Sequence, residues 1–198
     1  MQVPAGIEQC SVALEITNEL PGLGLLACTA SCAGKSSAGV VQELDLLAQR
    51  LNGPKAVRTS TEPVAAAYRA LRVGLGMDPE ADVASLESVV RRRLVEGGFR
   101  TAGQPEDAIT IATLETGVPI QAVRVKEGQW SLGVDENTGA VSILLGSEAV
   151  TPVFAQPGPD WSPARDDASA ILLAAVAPGV EEQVVALALD RARTLTQS

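Results

Sequence analysis

Histidine is missing from this chain of 198 residues. It is the side chain whose unperturbed pKa places a proton transfer near neutral pH, so its absence excludes Ser-His-Asp and Cys-His catalysis. Carboxylates remain, in one set made of Glu106, Asp107 and Glu115 and another made of Asp166 and Asp167. Acids at a helix start commonly complement the helix dipole, and acids in a loop are commonly solvated. Neither set predicts an active site by itself, and no catalytic residue is assigned.

Aromatic and basic residues are also scarce. Aromatics make up 3% of the chain against 46% hydrophobic residues, so the core must consist of Ala, Val, Leu and Ile. The formal net charge of −9 weighs against non-specific nucleic-acid binding, which draws its affinity from Lys and Arg. Arg91, Arg92 and Arg93 form the one dense basic run. This run is either a solvated helix face or a local contact strip for RNA.

The sequence has no uninterrupted apolar stretch of membrane-spanning length and no basic-then-apolar leader at its start. Its three cysteines, Cys10, Cys28 and Cys32, are odd in number and suit a reducing compartment, which predicts a cytoplasmic protein. Three cysteines without histidine cannot complete a structural zinc site. We therefore expect no membrane contact, no metal and no cofactor.

Two short motifs imitate ligand-binding loops. TASCAGKS (29–36) lies between a predicted strand and a predicted helix, but Thr29 stands where a phosphate-binding P-loop has its first glycine. Asp135 and Asn137 open like a calcium loop, yet Gly146 occupies the position of the closing glutamate. We interpret the first motif as a small-residue loop and the second as a turn.

Hydrophobic spacing at intervals of three and four predicts five helices with one buried face each. They cover about 40–51, a segment from Pro63 with Thr61 as its N-cap, 85–96, 105–117 and 180–196. In the third, the buried residues are expected to be Leu86, Val89, Val90 and Leu94.

Short apolar or alternating runs predict the strands. They lie at 23–30, 119–125, 129–134, 140–145, 148–154 and 170–176, with DENTG (135–139) as a hairpin loop. Residues 156–168 are rich in proline and charge and predict an irregular loop. No internal repeat or long linker divides the chain, so the sequence predicts one α+β domain over residues 1–198.

Five phrases follow one another along the chain: PGLGLLACTAS (21–31), YRALRVGLGMDP (68–79), SLESVVRRRLVEGGF (85–99), DAITIATLETGVPIQA (107–122) and AILLAAVAPGVEEQVVALALDRA (170–192). In this order they resemble the B3/B4 domain of the phenylalanyl-tRNA synthetase beta subunit, and still more the free-standing relatives of that domain. These relatives share a Tyr-Arg phrase, an arginine-rich helix ending in Gly and an Asp-initiated helix that runs to Gly-x-Pro.

The resemblance covers most of residues 10–195 and implies two mixed β-sheets with packed helices. In the synthetase, the domain hydrolyses tyrosine mischarged onto the phenylalanine tRNA, using an Asn, a His and a Glu. By position these places fall on Thr110, on Gln121 and near Ala174, so the synthetase-type editing residues are not retained. Gln121 can donate and accept hydrogen bonds but cannot take a proton at neutral pH.

The first functional hypothesis is a stand-alone B3/B4-like protein that binds tRNA or the aminoacyl end of aminoacyl-tRNA, with or without deacylase activity. The alternative is a non-catalytic module that binds a small, amino-acid-like molecule or another protein. In either case Thr110, Glu115, Gln121 and Arg124 are the candidate ligand-binding residues.

Two further sets of residues bear on these hypotheses. Arg91, Arg92 and Arg93 are the candidate RNA contacts, and docking of tRNA at the candidate ligand site requires them on the same side as Gln121. Trp130 and Trp161 either supply flat contacts to a ligand or lie partly buried at the rim of the core.

Overall fold

The computed structural model describes residues 4–32, 34–51, 58, 61–77, 86–164 and 167–197. Six helices lie in this part of the chain: α1 (Leu14–Glu19), α2 (Ala38–Arg50), α3 (Pro63–Gly74), α4 (Leu86–Glu96), α5 (Glu106–Thr116) and α6 (Glu182–Thr196). Its eight strands are β1 (Glu8–Gln9), β2 (Ser11–Val12), β3 (Gly24–Ser31), β4 (Gln121–Arg124), β5 (Trp130–Val134), β6 (Val141–Leu145), β7 (Glu148–Pro152) and β8 (Ser169–Val176). The α+β class predicted from the sequence is confirmed.

Local chemistry explains where most helices begin and end. The Ser37 hydroxyl accepts a hydrogen bond from the Val40 N–H at 3.3 Å and caps α2. Pro63 begins α3, where its missing N–H costs nothing. Gly117 ends α5 at φ 76°, a left-handed conformation that glycine adopts without strain. This last junction turns the chain directly into β4.

Two details of the predicted helices are wrong. Thr61 does not cap α3, because its hydroxyl donates to the carbonyl of Arg58 at 2.8 Å and Glu62 holds the N-cap position. Leu94 is 49% exposed rather than buried, since the buried face of α4 is confined to its first half.

Sheet A has the strand order β1-β3-β8-β4 and is antiparallel in all three of its strand pairs. The long central strands β3 and β8 are almost wholly buried, as their continuous apolar sequences predict. Helix α6 packs against both of them. Strand β4 forms one edge of the sheet and pairs Gln121 with Leu173 of β8.

Sheet B has the order β2-β5-β6-β7. Its β2–β5 pair is parallel and its other two pairs are antiparallel, so this sheet is mixed as predicted, whereas sheet A is not. A register shift lies between Ile143 and Leu144, opposite β7. The hairpin loop predicted at 135–139 connects β5 to β6.

The segment before α1 crosses from one sheet to the other. The Cys10 N–H donates to the carbonyl of Leu25 in sheet A at 2.9 Å, and the Ala13 N–H donates to the carbonyl of Leu132 in sheet B at 2.9 Å. One stretch of backbone therefore fastens both sheets through ordinary ladder hydrogen bonds.

The main cluster of buried side chains draws on both sheets, with Leu172 from sheet A and Leu132 from sheet B. Such a shared core is the packing that a single domain requires. It contains few aromatic rings, and the buried Tyr68 satisfies its hydroxyl by donating to the carbonyl of Ala175 at 2.6 Å. Among the described helices, none is long and apolar enough to cross a membrane.

Candidate functional site

A cleft of about 240 Å³ opens beside helix α5 and brings together parts of the chain that are distant in sequence. Its walls are α5, the junction into β4, the segment after β7 and one side of α4. The residues lining it are Val89, Arg92, Glu106, Ile109, Thr110, Thr113, Ile120, Gln121, Ala122, Ala155, Gln156, Pro157, Ser162 and Pro163.

Helix α5 supplies four of the lining residues from one face. Glu106, Ile109, Thr110 and Thr113 are spaced by three, four and seven, which aligns them along a single side of a helix. Thr110 is 8% exposed and Thr113 is 1% exposed, so both residues are buried in the wall of the cleft. Thr110 is the residue that the sequence placed in a ligand site.

Gln121 also lines the cleft, but its side chain is engaged with the backbone of the segment after β7. Its amide nitrogen donates to the carbonyl of Ala155, and its amide oxygen accepts from the Phe154 N–H at 3.3 Å. Phe154 has φ 70°, an uncommon conformation for a bulky residue. Gln121 therefore holds this turn in place while forming part of the cleft wall.

The three consecutive arginines of α4 have different surroundings. Arg92 lines the cleft that contains Gln121. Arg93 is half-buried and donates from Nε to the carbonyl of Ala48 at 2.9 Å, so it connects α4 to α2. Arg91 is exposed. The run is therefore not one continuous strip, and only Arg92 shares the cleft with Gln121.

Arg124 lies outside the cleft lining, contrary to its place among the candidate ligand-binding residues. Its Nε is 3.1 Å from a carboxylate oxygen of Asp167, which also accepts the Ala164 N–H at 2.7 Å. The hydrogen bond from Ala164, aided by Arg124, holds the pKa of Asp167 below its ordinary value. The backbone N–H of Arg124 donates to the carbonyl of Trp161 at 2.7 Å. Arg124 thus fastens the loop that forms one wall.

Glu115 also lies away from the cleft. Its carboxylate accepts from the Nε of Arg191 in α6 at 2.9 Å, and the same guanidinium pairs with Glu43 of α2. The hydrogen bond that Arg191 donates to Glu115 raises the pKa of Arg191 above its ordinary value. Glu115 is therefore part of a helix-connecting network and is not positioned to activate water in the cleft.

The adjacent acids at the start of α5 have separate roles. Asp107 is 2% exposed and accepts hydrogen bonds from the Ser36 hydroxyl at 2.5 Å, the Ala102 N–H at 2.9 Å and the Gly103 N–H at 3.2 Å. Glu106 is exposed and lines the cleft. They do not form a carboxylate pair for acid–base work, and Glu106 is the one of the two that lines the cleft.

In both motifs that imitate ligand-binding loops, polar groups form hydrogen bonds within the protein. In the TASCAGKS segment, the Ser36 hydroxyl donates to Asp107 and the Gly34 carbonyl accepts the Gln104 N–H at 3.0 Å. In the hairpin loop, the Asp135 carboxylate accepts from the Asn137 N–H at 3.0 Å. Across the described residues, no group of three or more acidic or thiol side chains is arranged to hold a metal ion.

The two tryptophans lie next to each other and outside the cleft lining. Their rings meet edge to face with centroids 6.3 Å apart, and Lys126 Nζ lies 3.3 Å from the centroid of the Trp161 ring. Trp161 is 7% exposed and belongs to the main core. Their contact anchors the loop at 155–164 against β5. Of the two alternatives, this agrees with partial burial at the rim of the core and not with a flat contact to a ligand in the cleft.

A larger groove of about 410 Å³ crosses sheet B near Ser131, Gly133 and Asp135 and contains none of the candidate ligand-binding residues. The cleft beside α5 therefore remains the candidate site. Of the predicted residues it unites Thr110, Gln121 and Arg92, and it excludes Glu115 and Arg124.

Thr113 and Glu106 were not singled out as ligand-binding residues from the sequence. The signal that could have found them is their spacing of three and four from Thr110 on one helix. Comparison of the chain with protein-family models, with curated proteins and with solved structures gave no match.

Proposed function

We propose that the cleft beside α5 binds a small molecule carrying an α-amino-acid group, either free or as the aminoacyl end of aminoacyl-tRNA. The observation that carries this proposal is the presence of two opposite charges in the lining of one small cleft. Arg92 and Glu106 both line it, on different helices, among Val89, Ile109 and Ile120. An arginine suits a carboxylate or an ester carbonyl, and a carboxylate suits an ammonium group.

The size of the cleft supports a small ligand. Pockets for drug-sized molecules run from roughly 300 to 1,000 Å³, and this one is about 240 Å³. Its lining combines apolar side chains with polar ones, and small-molecule sites use placed polar groups to fix the orientation of a ligand. The proposed binding also agrees with the resemblance to B3/B4 domains, whose ligand is an aminoacyl group.

The proposal is for binding, and hydrolysis is a separate question for the same experiment. The chain lacks histidine, and the acid Glu115 is paired with Arg191 outside the cleft. Glu106 is the carboxylate that could orient water there. We place this activity in the cytoplasm, where reducing conditions suit the free thiols Cys10 and Cys28.

The test is calorimetric titration of the full chain at low salt with free amino acids and with a panel of aminoacyl-tRNAs. Saturable binding is expected, and Arg92→Ala should weaken it by about 10- to 100-fold, because hydrogen bonds to charged groups contribute about 1.5 to 3 kcal/mol. Arg100→Ala is the matched control, since Arg100 is 89% exposed and lies outside the cleft lining.

The two sources of the ligand give different results. Binding of free amino acids indicates a metabolite-binding protein. Binding of aminoacyl-tRNA alone, weakened further by Arg91→Ala and by added salt, indicates recognition of the tRNA end, because phosphate contacts are salt-dependent. Release of the amino acid from the tRNA, lost in Glu106→Gln, would add deacylase activity. No binding of either class, or equal loss in Arg92→Ala and Arg100→Ala, would overturn the proposal.

A further inference from the structure

The hydroxyl of Thr113 is buried in the wall of the cleft without a hydrogen-bond partner among the described residues. The residue is 1% exposed. Threonines inside helices commonly donate to the carbonyl four residues earlier, and Thr116 on the same helix does so, to Ala112 at 2.7 Å. The Thr113 hydroxyl, one turn earlier on the same helix, does not form the corresponding hydrogen bond to a backbone carbonyl.

An unpartnered buried hydroxyl is costly, because the group has left water without replacing its hydrogen bonds. Such groups are few in folded proteins and call for a specific explanation. The neighbouring residues offer an apolar surface, since Ile109 and Ile120 also line the cleft. A polar group of a bound ligand would supply the partner that the protein does not.

The position of Thr113 along α5 indicates which part of the ligand would be the hydrogen-bond partner of its hydroxyl. Thr113 follows Glu106 by seven residues, which places it about 10.5 Å further along the α5 axis. Glu106 is exposed, whereas Thr113 is buried. If the charged head group lies at Glu106, the side chain of the ligand points along the helix toward Thr113.

We propose that Thr113 makes the cleft selective for amino-acid side chains that end in a hydroxyl or amide group, over apolar side chains of the same shape. This inference rests on the proposed binding of an α-amino-acid group. A hydroxyl both donates and accepts, so it can pair with either kind of ligand group. An apolar ligand side chain would leave the buried Thr113 hydroxyl without a partner.

The experiment uses two pairs of ligands of similar shape, threonine against valine and glutamine against methionine, each as free amino acid and as aminoacyl-tRNA. The polar member of at least one pair should bind about tenfold more tightly to the unaltered protein, the ratio that one hydrogen bond of about 1.4 kcal/mol provides. Thr113→Val should abolish the preference, and Thr113→Ser should retain it.

Two controls separate recognition from a structural role. Thr116→Val changes a neighbouring threonine that already has a partner and should leave the preference unchanged. Thr113→Val should raise the melting temperature of the ligand-free protein by about 2 to 4 °C, since it removes an unsatisfied buried group. A lowered melting temperature would show that the hydroxyl is satisfied internally and would overturn the inference.

Failure of this inference differs from failure of the proposed function. Equal binding of both members of each pair, unchanged in Thr113→Val, would overturn selectivity by Thr113 while amino-acid binding stands. Absence of binding for all four ligands, on either carrier, would overturn both.

Discussion

The two faces of helix α5 use polar side chains in opposite ways. On the core face, Asp107 accepts three hydrogen bonds from its neighbours, and Glu115 continues this side into an ion pair with Arg191. On the cleft face, Glu106 is exposed and the Thr113 hydroxyl has no partner in the part of the chain that the structure describes. Polar groups with internal partners stabilise the fold, whereas a buried hydroxyl without one, in the wall of a cleft, is a group that a ligand can use.

The largest expected effect comes from removing the polar side chain of α5 that accepts the most hydrogen bonds, and it tests the difference between the two faces. Asp107→Ala should lower the free energy of unfolding by about 3 kcal/mol or more, because the Ser36 hydroxyl and the Ala102 and Gly103 N–H groups lose a charged acceptor. Glu106→Ala, one residue away on the exposed face, should change it by about 0.5 kcal/mol or less. Urea unfolding monitored by circular dichroism measures both, and similar losses in the two variants would contradict the division into faces.

Gln121 tests a residue that takes part in both the fold and the cleft. Gln121→Ala should cost about 2 kcal/mol in unfolding free energy, since the Phe154 N–H and the Ala155 carbonyl lose their partners in a strained turn. Gln156 is exposed and also lines the cleft, so Gln156→Ala is the matched control and should be close to neutral. A cost below about 0.5 kcal/mol for Gln121→Ala would mean that the turn holds without it.

The arginines of α4 sharpen the comparison further. Arg93→Ala should cost about 1 kcal/mol of unfolding free energy, because Nε loses its bond to the Ala48 carbonyl. Arg92→Ala should leave stability unchanged while it weakens ligand binding. Thermal unfolding and ligand titration on the same two variants measure both effects. Equal effects of the two substitutions on stability and on binding would show that the basic run acts as a unit, and a reversed pattern would show that the two roles are wrongly assigned.

The smallest expected effect concerns pH and the loop at the edge of the cleft. The folded-state pKa of Asp167 is lowered, mainly by the Ala164 N–H and then by Arg124, so its carboxylate stabilises the fold above its ordinary pKa of 3.8. This contribution is lost as pH falls toward the lower folded-state pKa. The melting temperature of Asp167→Asn should therefore fall less than that of the unaltered protein when pH is lowered below about 4. Parallel curves for the two proteins would exclude this role.

The sequence predicted elements well where burial alone decides them. Strands β3 and β8 have continuous apolar runs, and α6 has a regular apolar spacing, so their positions followed from hydrophobic pattern. Leu94 shows the limit, because the apolar spacing of α4 continues past the point where the rest of the protein covers it. Hydrophobic periodicity indicates which side of a helix is apolar, but it does not indicate how much of the helix length other elements pack against.

The candidate site was predicted in part. Thr110 and Gln121 line the same cleft from either side of the turn at Gly117, and the sequence of that junction is explicit. Glu115 and Arg124 lie outside the cleft because each forms an ion pair with a residue that is distant in sequence. Glu115 pairs with Arg191, and Arg124 pairs with Asp167. Local pattern cannot reveal pairings between distant residues. Thr113 could not be predicted for the same reason. It stands out only because its hydroxyl has no hydrogen-bond partner among the described residues, and a sequence pattern does not show that.

The backbone that crosses between the sheets provides two reporters only three residues apart. The Cys10 amide proton is protected by sheet A and the Ala13 amide proton by sheet B, each through a bond of 2.9 Å. Their exchange with deuterium therefore compares the opening of the two sheets within one short peptide. Equal rates would mean that the sheets open together as one cooperative unit. A faster rate at Ala13 would mean that sheet B opens while the backbone at Cys10 stays bound to β3 of sheet A.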